Sequence, residues 1–188
     1  SDDMIFEEEV FGGSVPKNFF PSVEKGLRNA VQKGVLAGYP LVGLKAVLYD
    51  GSYHEVDSSE MAFKVAANQA FQKGCAEAKP VLMEPYYNLD VYCDERVTGD
   101  VISDLNSKRG RIMGMQTAED GRSCIKAQVP YAEILDYAVD LRALTQGTGT
   151  FEMKFDHYED VPPKMAEKII KTRLFNPILT DLSFFIKN

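Results

Sequence analysis

Apolar residues recur along this chain with two spacings, every second residue and every third or fourth. The switches between them mark out short strands and helices. Ile5 to Val10 predicts a strand, and Gly12-Gly13 breaks it. Pro21 stands where a helix could begin, and Val23, Leu27, Ala30 and Val31 follow at helical spacing until Gly34. From Leu41 to Tyr49 the period is two, with Val42, Leu44, Ala46 and Leu48 on one face, which predicts a half-buried strand. Asp50-Gly51-Ser52 reads as a turn. Asp57-Ser58-Ser59-Glu60 reads as a capping box, with Asp57 accepting from the new helix's amides and Glu60 reaching back. The helix to about Ala78 carries Ala62, Ala66, Ala67 and Ala70, a small-residue face suited to close approach to a sheet.

Pro80 and Pro85 bracket an expected linker, and a second pattern follows. Tyr87, Leu89, Val91 and Cys93 predict a strand. A helix comes next, with Thr98 as its cap, Asp100 in its first turn and Lys108-Arg109 in its last. Gly110 sits where a left-handed residue commonly ends a helix. Ile112–Thr117 and Arg122–Val129 predict two strands joined at Glu119-Asp120-Gly121, the second burying Ser123, Ile125, Ala127 and Val129. Ile134, Ala138, Leu141 and Leu144 mark a helix that stops near Gly147. A last strand runs through Phe151, Met153, Phe155 and His157, the first three expected in the core. The order β-α-β-β-α-β is the ferredoxin-like arrangement, so the fold class is α+β with two small two-layer domains. The expected division is 1–83, 84–161 and a tail, 162–188. Pro162-Pro163 opens the tail, a short helix runs to about Arg173, and apolar Leu182–Ile186 docks on the body.

Composition narrows the function classes. Apolar residues make up 45% and charged residues 26%, ordinary for a protein with a packed core. No apolar run approaches the roughly 18 to 20 residues of a membrane span, and the acidic N-terminus does not read as a targeting peptide. Cys75, Cys93 and Cys124 form no Cys-x-x-Cys pair, which fits a reduced, cytoplasmic compartment. The net charge of −7 is spread along the chain: residues 1–80 hold 8 Lys/Arg against 11 Asp/Glu, and residues 81–188 hold 13 against 17. Any contact with RNA must therefore be local. There is no phosphate-cradling Gly-x-x-x-x-Gly-Lys-[Ser/Thr], and Gly147-Thr-Gly149 leads into a strand rather than a helix. His54 and His157 have no metal-ligand partner at helical spacing. No combination of nucleophile, base and orienting group stands out, so no catalysis is expected in this chain.

Longer strings carry a resemblance. Gly12-Gly13-Ser14-Val15-Pro16-Lys17 and the run Leu48-Tyr49-Asp50-Gly51-Ser52-Tyr53-His54-Glu55-Val56-Asp57-Ser58-Ser59-Glu60-Met61-Ala62-Phe63 resemble the fourth domain of elongation factor G. Gly99-Asp100-Val101-Ile102-Ser103-Asp104-Leu105-Asn106-Ser107-Lys108-Arg109-Gly110 resembles the first helix of its fifth domain. Val129-Pro130-Tyr131-Ala132-Glu133, Asp140-Leu141-Arg142, Thr145-Gln146-Gly147 and Phe155-Asp156-His157-Tyr158 continue the match, which covers about residues 5–170.

The resemblance implies a parent that binds GTP with magnesium in an N-terminal part outside this chain. That parent would promote tRNA-mRNA movement through the ribosome. No cofactor is implied for the chain itself. The fourth domain would reach toward the decoding centre and the fifth would pack near ribosomal RNA, with neither membrane nor DNA as partner. The resemblance also implies a left-handed β-α-β crossover in the first domain, against the usual hand. Three departures stand out: the fourth domain's early strands are absent, implying a truncated piece. Thr148 replaces an arginine of the family's Thr-Gln-Gly-Arg-Gly, and the tail beyond Lys171 is longer than expected.

Six residues are the candidates for ribosomal RNA. Ser52, Tyr53 and His54 form a loop tip able to stack on or hydrogen-bond nucleotides, and the resemblance places a histidine at that tip. A solvated turn is the competing reading. Lys108, Arg109 and Arg111 are the most basic spot and read equally as phosphate contacts or as compensation of a helix dipole. Two other readings are an RNA-recognition module and a small-molecule-sensing domain of similar topology. The first needs aromatics on its third strand, where this chain has Arg122-Ser-Cys-Ile-Lys-Ala-Gln-Val.

Overall fold

Among the described residues, each of two units has buried apolar residues of its own. The computed structural model describes residues 4–175 and 185–187. Residues 1–83 with 161–188 make the first unit, and residues 84–160 the second.

In the first unit, β1 (Ile5–Glu8) pairs in parallel with β3 (Lys45–Leu48). Helix α1 (Phe20–Lys33) lies between them in sequence and packs on α2 (Glu60–Glu77). The buried stripe of α2 is Phe63, Ala67, Phe71 and Cys75, spaced every four residues, with Val15 and Val23 joining its core. Of the four alanines expected to pack closely, only Ala67 is buried. Ala66 and Ala70 instead line an apolar cleft of about 770 Å³ with Leu27, Leu44 and Ala46.

The strand expected over Leu41–Tyr49 is two pieces. Gly43 adopts a left-handed φ of 72° and separates β2 (Leu41–Val42) from β3. β2 pairs with β8 (Phe185–Lys187), not with β1. Leu44, Ala46 and Leu48 keep the alternation and are half-buried. β8 also pairs antiparallel with Val81–Met83, the start of β4 (Val81–Cys93), and Val161 N–H donates to Leu82 O at 2.8 Å. The expected linker between Pro80 and Pro85 is therefore strand. Pro85, which lacks an N–H, falls between the segment pairing β8 and the segment from Tyr86 that pairs β6. In the tail, α5 spans Pro163–Phe175; Leu182, Ser183 and Phe184 of the expected docking segment lie outside the described residues.

The second unit reads β4, α3 (Thr98–Ser107), β5 (Arg111–Thr117), β6 (Ser123–Pro130), α4 (Tyr137–Leu144) and β7 (Thr150–Asp160). Its strand order is β7-β4-β6-β5, with β4–β6 and β5–β6 antiparallel. This is the β-α-β-β-α-β fold the hydrophobic spacing predicts. Leu89, Val91 and Cys93 of β4 and Ile125, Ala127 and Val129 of β6 face Val101 and Leu105 of α3 and Tyr137 and Leu141 of α4. Each such aliphatic side chain contributes about 1.5–3 kcal/mol by leaving water.

Two core assignments differ. Tyr137 takes the place expected for Ala138, because a 3-10 turn at Tyr131–Glu133 delays α4 and rotates its buried face. Of the β7 residues, Phe151 packs on the core, but Met153 is 48% and Phe155 44% exposed. The helices cover the start of this edge strand and leave its later residues open.

Candidate RNA-facing loop

The segment between β3 and α2 is held by backbone N–H groups that donate to the side chains of Asp50, Ser58 and Ser59. Asp50 Oδ1 accepts from Gly51 N–H at 2.8 Å and turns the chain out of β3. Ser58 closes one further turn: His54 N–H donates to its Oγ at 2.9 Å, and Ser58 N–H donates to His54 O at 2.9 Å. Ser59, not Asp57, caps α2, accepting from Ala62 N–H at 3.0 Å. Ser59 wins because the N-cap acceptor must stand directly before the first helical residue, Glu60.

With both backbone groups of His54 so engaged, its imidazole lies at an exposed position, and Ser52 is exposed beside it. Tyr53 tethers the tip. Its ring lies 5.9 Å from Phe19, which stacks on buried Phe63 at 4.6 Å, and 41% of Tyr53 remains exposed. Nothing local in the sequence marks Phe19 or Ser58 as the residues that fix this geometry. Ser58 sits in the string that suggested a cap, and Phe19 is one aromatic among several. Asp50, Glu55 and Asp57 stand along the same loop, so what it offers is an exposed imidazole, a phenol and hydroxyls rather than a cationic surface.

The basic spot is arranged differently. Lys108 Nζ contacts Asp104 Oδ1 at 2.7 Å and Asp140 Oδ2 at 3.0 Å. Burial alone would lower its pKa, but those two hydrogen bonds outweigh it and hold the ammonium charged. Arg109 places Nη1 and Nη2 on Glu84 at 2.6 and 2.8 Å, and Nε on Glu133 at 2.8 Å. The Glu84 side chain is 0% exposed. Arg109, not Gly110, takes the left-handed conformation, with φ 58°. Gly110 is required for a different reason: a Cβ there would meet Leu105 O at 2.6 Å. Arg111 donates from both terminal nitrogens to Glu159, at 2.7 and 2.6 Å. The three cations are each matched by carboxylates of the second unit, which favours the structural reading of this spot. Thr148 donates to Thr145 O at 2.8 Å, and Thr145 in turn holds Leu141 O and Gly149 N–H.

The third strand of the second unit, β6, carries Cys124, Lys126 and Gln128 on the face away from the helices, with no stacking aromatic. Among the described residues no helix is long and apolar enough to cross a membrane, and no group of three or more metal-ligating side chains gathers.

A β-α-β unit with an exposed His54 loop, followed by a ferredoxin-like unit, makes this a two-domain α+β protein. Comparison with known proteins is specific. Residues 1–79 match the family model "Elongation factor G, domain IV" and residues 81–169 match "Elongation factor G C-terminus". The chain belongs to the elongation factor G family. It is 53% identical over 169 residues to an elongation factor G of Aquifex pyrophilus, covering 90% of this chain and 24% of that protein. It is 49% identical over 168 residues to an elongation factor G-like protein of Thermotoga maritima, covering 89% and 25% respectively. A crystal structure from Thermus thermophilus superposes with a TM-score of 0.81 at 46% identity, over 94% of this chain and 26% of that one. The chain thus spans about a quarter of the length of these relatives.

Proposed function

We propose that this chain is the ribosome-facing part of a factor that promotes tRNA-mRNA translocation, with Ser52, Tyr53 and His54 as the tip that meets RNA at the decoding centre. GTP and magnesium belong to a part of the parent outside the chain, so the chain itself is not the catalyst. The observation that carries this reading is the built tip: Ser58 fixes the His54 backbone, and Phe19 anchors Tyr53, while the imidazole stays exposed. A merely solvated turn has no need of an aromatic tether to the core. Membership in the elongation factor G family supports a role in translation, in the cytoplasm.

His54→Ala in the parent factor tests it. Loss of one stacking contact of about 1–3 kcal/mol corresponds to a slowing of roughly 5- to 160-fold. Rapid-mixing kinetics should show translocation slowed by about that factor with single-round GTP hydrolysis nearly intact. Unchanged translocation would remove His54 from the mechanism. Lys108 and Arg109 are proposed to act on RNA only indirectly, by keeping α3 and the strands around it in place.

A further inference from the structure

The proposed function makes no use of the second histidine, His157 on β7. Its ring lies between two carboxylates of its own strand. Nδ1 is 2.6 Å from Asp156 Oδ2, and Nε2 is 2.7 Å from Glu159 Oε1. The imidazole also stacks on Tyr86 of β4, with centroids 5.6 Å apart and planes 19° from parallel. Arg111 of β5 lies over the same Tyr86 ring at 5.1 Å while holding Glu159 with both terminal nitrogens. Asp156 accepts from Asn88 Nδ2 of β4 at 2.9 Å and from Gln128 Nε2 of β6 at 3.0 Å. Through Asp156, His157 and Glu159, β7 is therefore tied to every other strand of the second unit's sheet.

The chemistry of imidazole makes that network depend on a proton. Neutral histidine has one N–H and one lone pair, so it can donate to only one of the two carboxylates. The other nitrogen would then face a carboxylate oxygen, lone pair against lone pair, at hydrogen-bonding distance. The imidazolium alone donates to both.

The groups around the ring reinforce this. From β7 come the Asp156 and Glu159 carboxylates, and from β5 the Arg111 guanidinium, already engaged with Glu159. β4 supplies the Tyr86 phenol, on which Glu84 and Arg109 act from farther away, and β6 supplies the neutral Gln128 amide.

We propose that His157 is a proton-operated clasp: its imidazolium holds the Asp156 and Glu159 carboxylates in the positions from which they bind β4, β6 and β5, and loss of the proton loosens the end of β7. The surrounding electrostatics agree. Hydrogen bonds from Glu159 and then Asp156 raise the His157 pKa above its ordinary value. Arg111 foremost, and then His157, hold Glu159 below the usual carboxylate range against the opposing effect of burial. Because the folded pKa is raised, the clasp's stabilisation is fully present below the unfolded histidine value, near pH 6.5. It is lost as pH rises through the higher folded value. The operating window thus begins near neutrality. It acts just before Val161, where the chain passes back to the first unit.

NMR of the 188-residue chain tests the clasp by following the imidazole signals and the amide exchange of β7 across pH, corrected for chemical exchange rates. His54 and His157 are the only histidines, so His157→Gln assigns the signals. The expected result is a His157 pKa above 6.5, with β7 opening more frequent across the same range. Each unit of elevation corresponds to a tenfold change in the opening equilibrium. His157→Gln and Glu159→Gln should each abolish the step. A His157 pKa at or below the ordinary value would overturn the clasp. So would a β7 step that persists in His157→Gln, and the wild-type titration decides even if a variant fails to fold.

Discussion

Arg109 shows how a residue can look like a surface contact in the sequence and act as an interior one in the fold. It stands at the end of α3, where a cation complements the helix dipole, yet its guanidinium serves the fully buried Glu84. Its partners are 25 and 24 residues away in sequence, so no local pattern could announce them. Removing one member of a buried pair strands the other charge, at a cost of about 3–5 kcal/mol. Arg109→Ala should lower the second unit's stability by about that much in denaturant unfolding. The double variant Arg109→Met with Glu84→Leu should recover most of the loss. A cost under about 1 kcal/mol for the single variant would mean that Glu84 is not held as described. His54 and Tyr53 are the converse case: their exposure follows from turn chemistry visible in Asp50-Gly51-Ser52, whereas the Phe19 tether is a tertiary fact.

At the scale of elements, spacing gave the order of strands and helices in the second unit, though not every buried face within them. It failed where one period ran across two elements. Leu41–Tyr49 alternates without a break in apolar character, but Gly43 sends its two halves to different partners. Met153 and Phe155 alternate like core residues, yet they sit on an edge strand that the helices do not cover. The α1–α2 contact was equally hidden, because it depends on what a glycine lacks. A Cβ on Gly26 would lie 2.8 Å from Lys64 O and 3.2 Å from Ala67 Cβ. Gly26→Ala gains helix propensity but forces the helices apart, at about 1–3 kcal/mol. Thermal unfolding should therefore register a net destabilisation of the first unit. A stabilised variant would show that the two helices approach less closely than this.

Across the whole molecule, charge and architecture point to recognition through a small built surface. The net charge of −7 is spread along both units, and the Lys108–Arg111 cations are neutralised by carboxylates of the same unit. Broad attraction to phosphate is thus weak, which is why the proposed RNA contact is assigned to the loop between β3 and α2 and not to the basic spot. The family assignment rests on both units in order, residues 1–79 and 81–169. The exposed turn at Ser52-Tyr53-His54 was legible in the contiguous sequence, whereas its reading as an RNA-contacting tip came from the resemblance and stands as a proposal.

The most direct test places a photoreactive side chain at Tyr53 in the parent factor, bound to ribosomes with a non-hydrolysable GTP analogue. A second probe at Gln72, on the exposed side of α2, serves as reference. The account predicts cross-links from position 53 to small-subunit RNA at the decoding centre, well above those from position 72. Equal labelling from the two positions, or adducts from position 53 to protein alone, would contradict it.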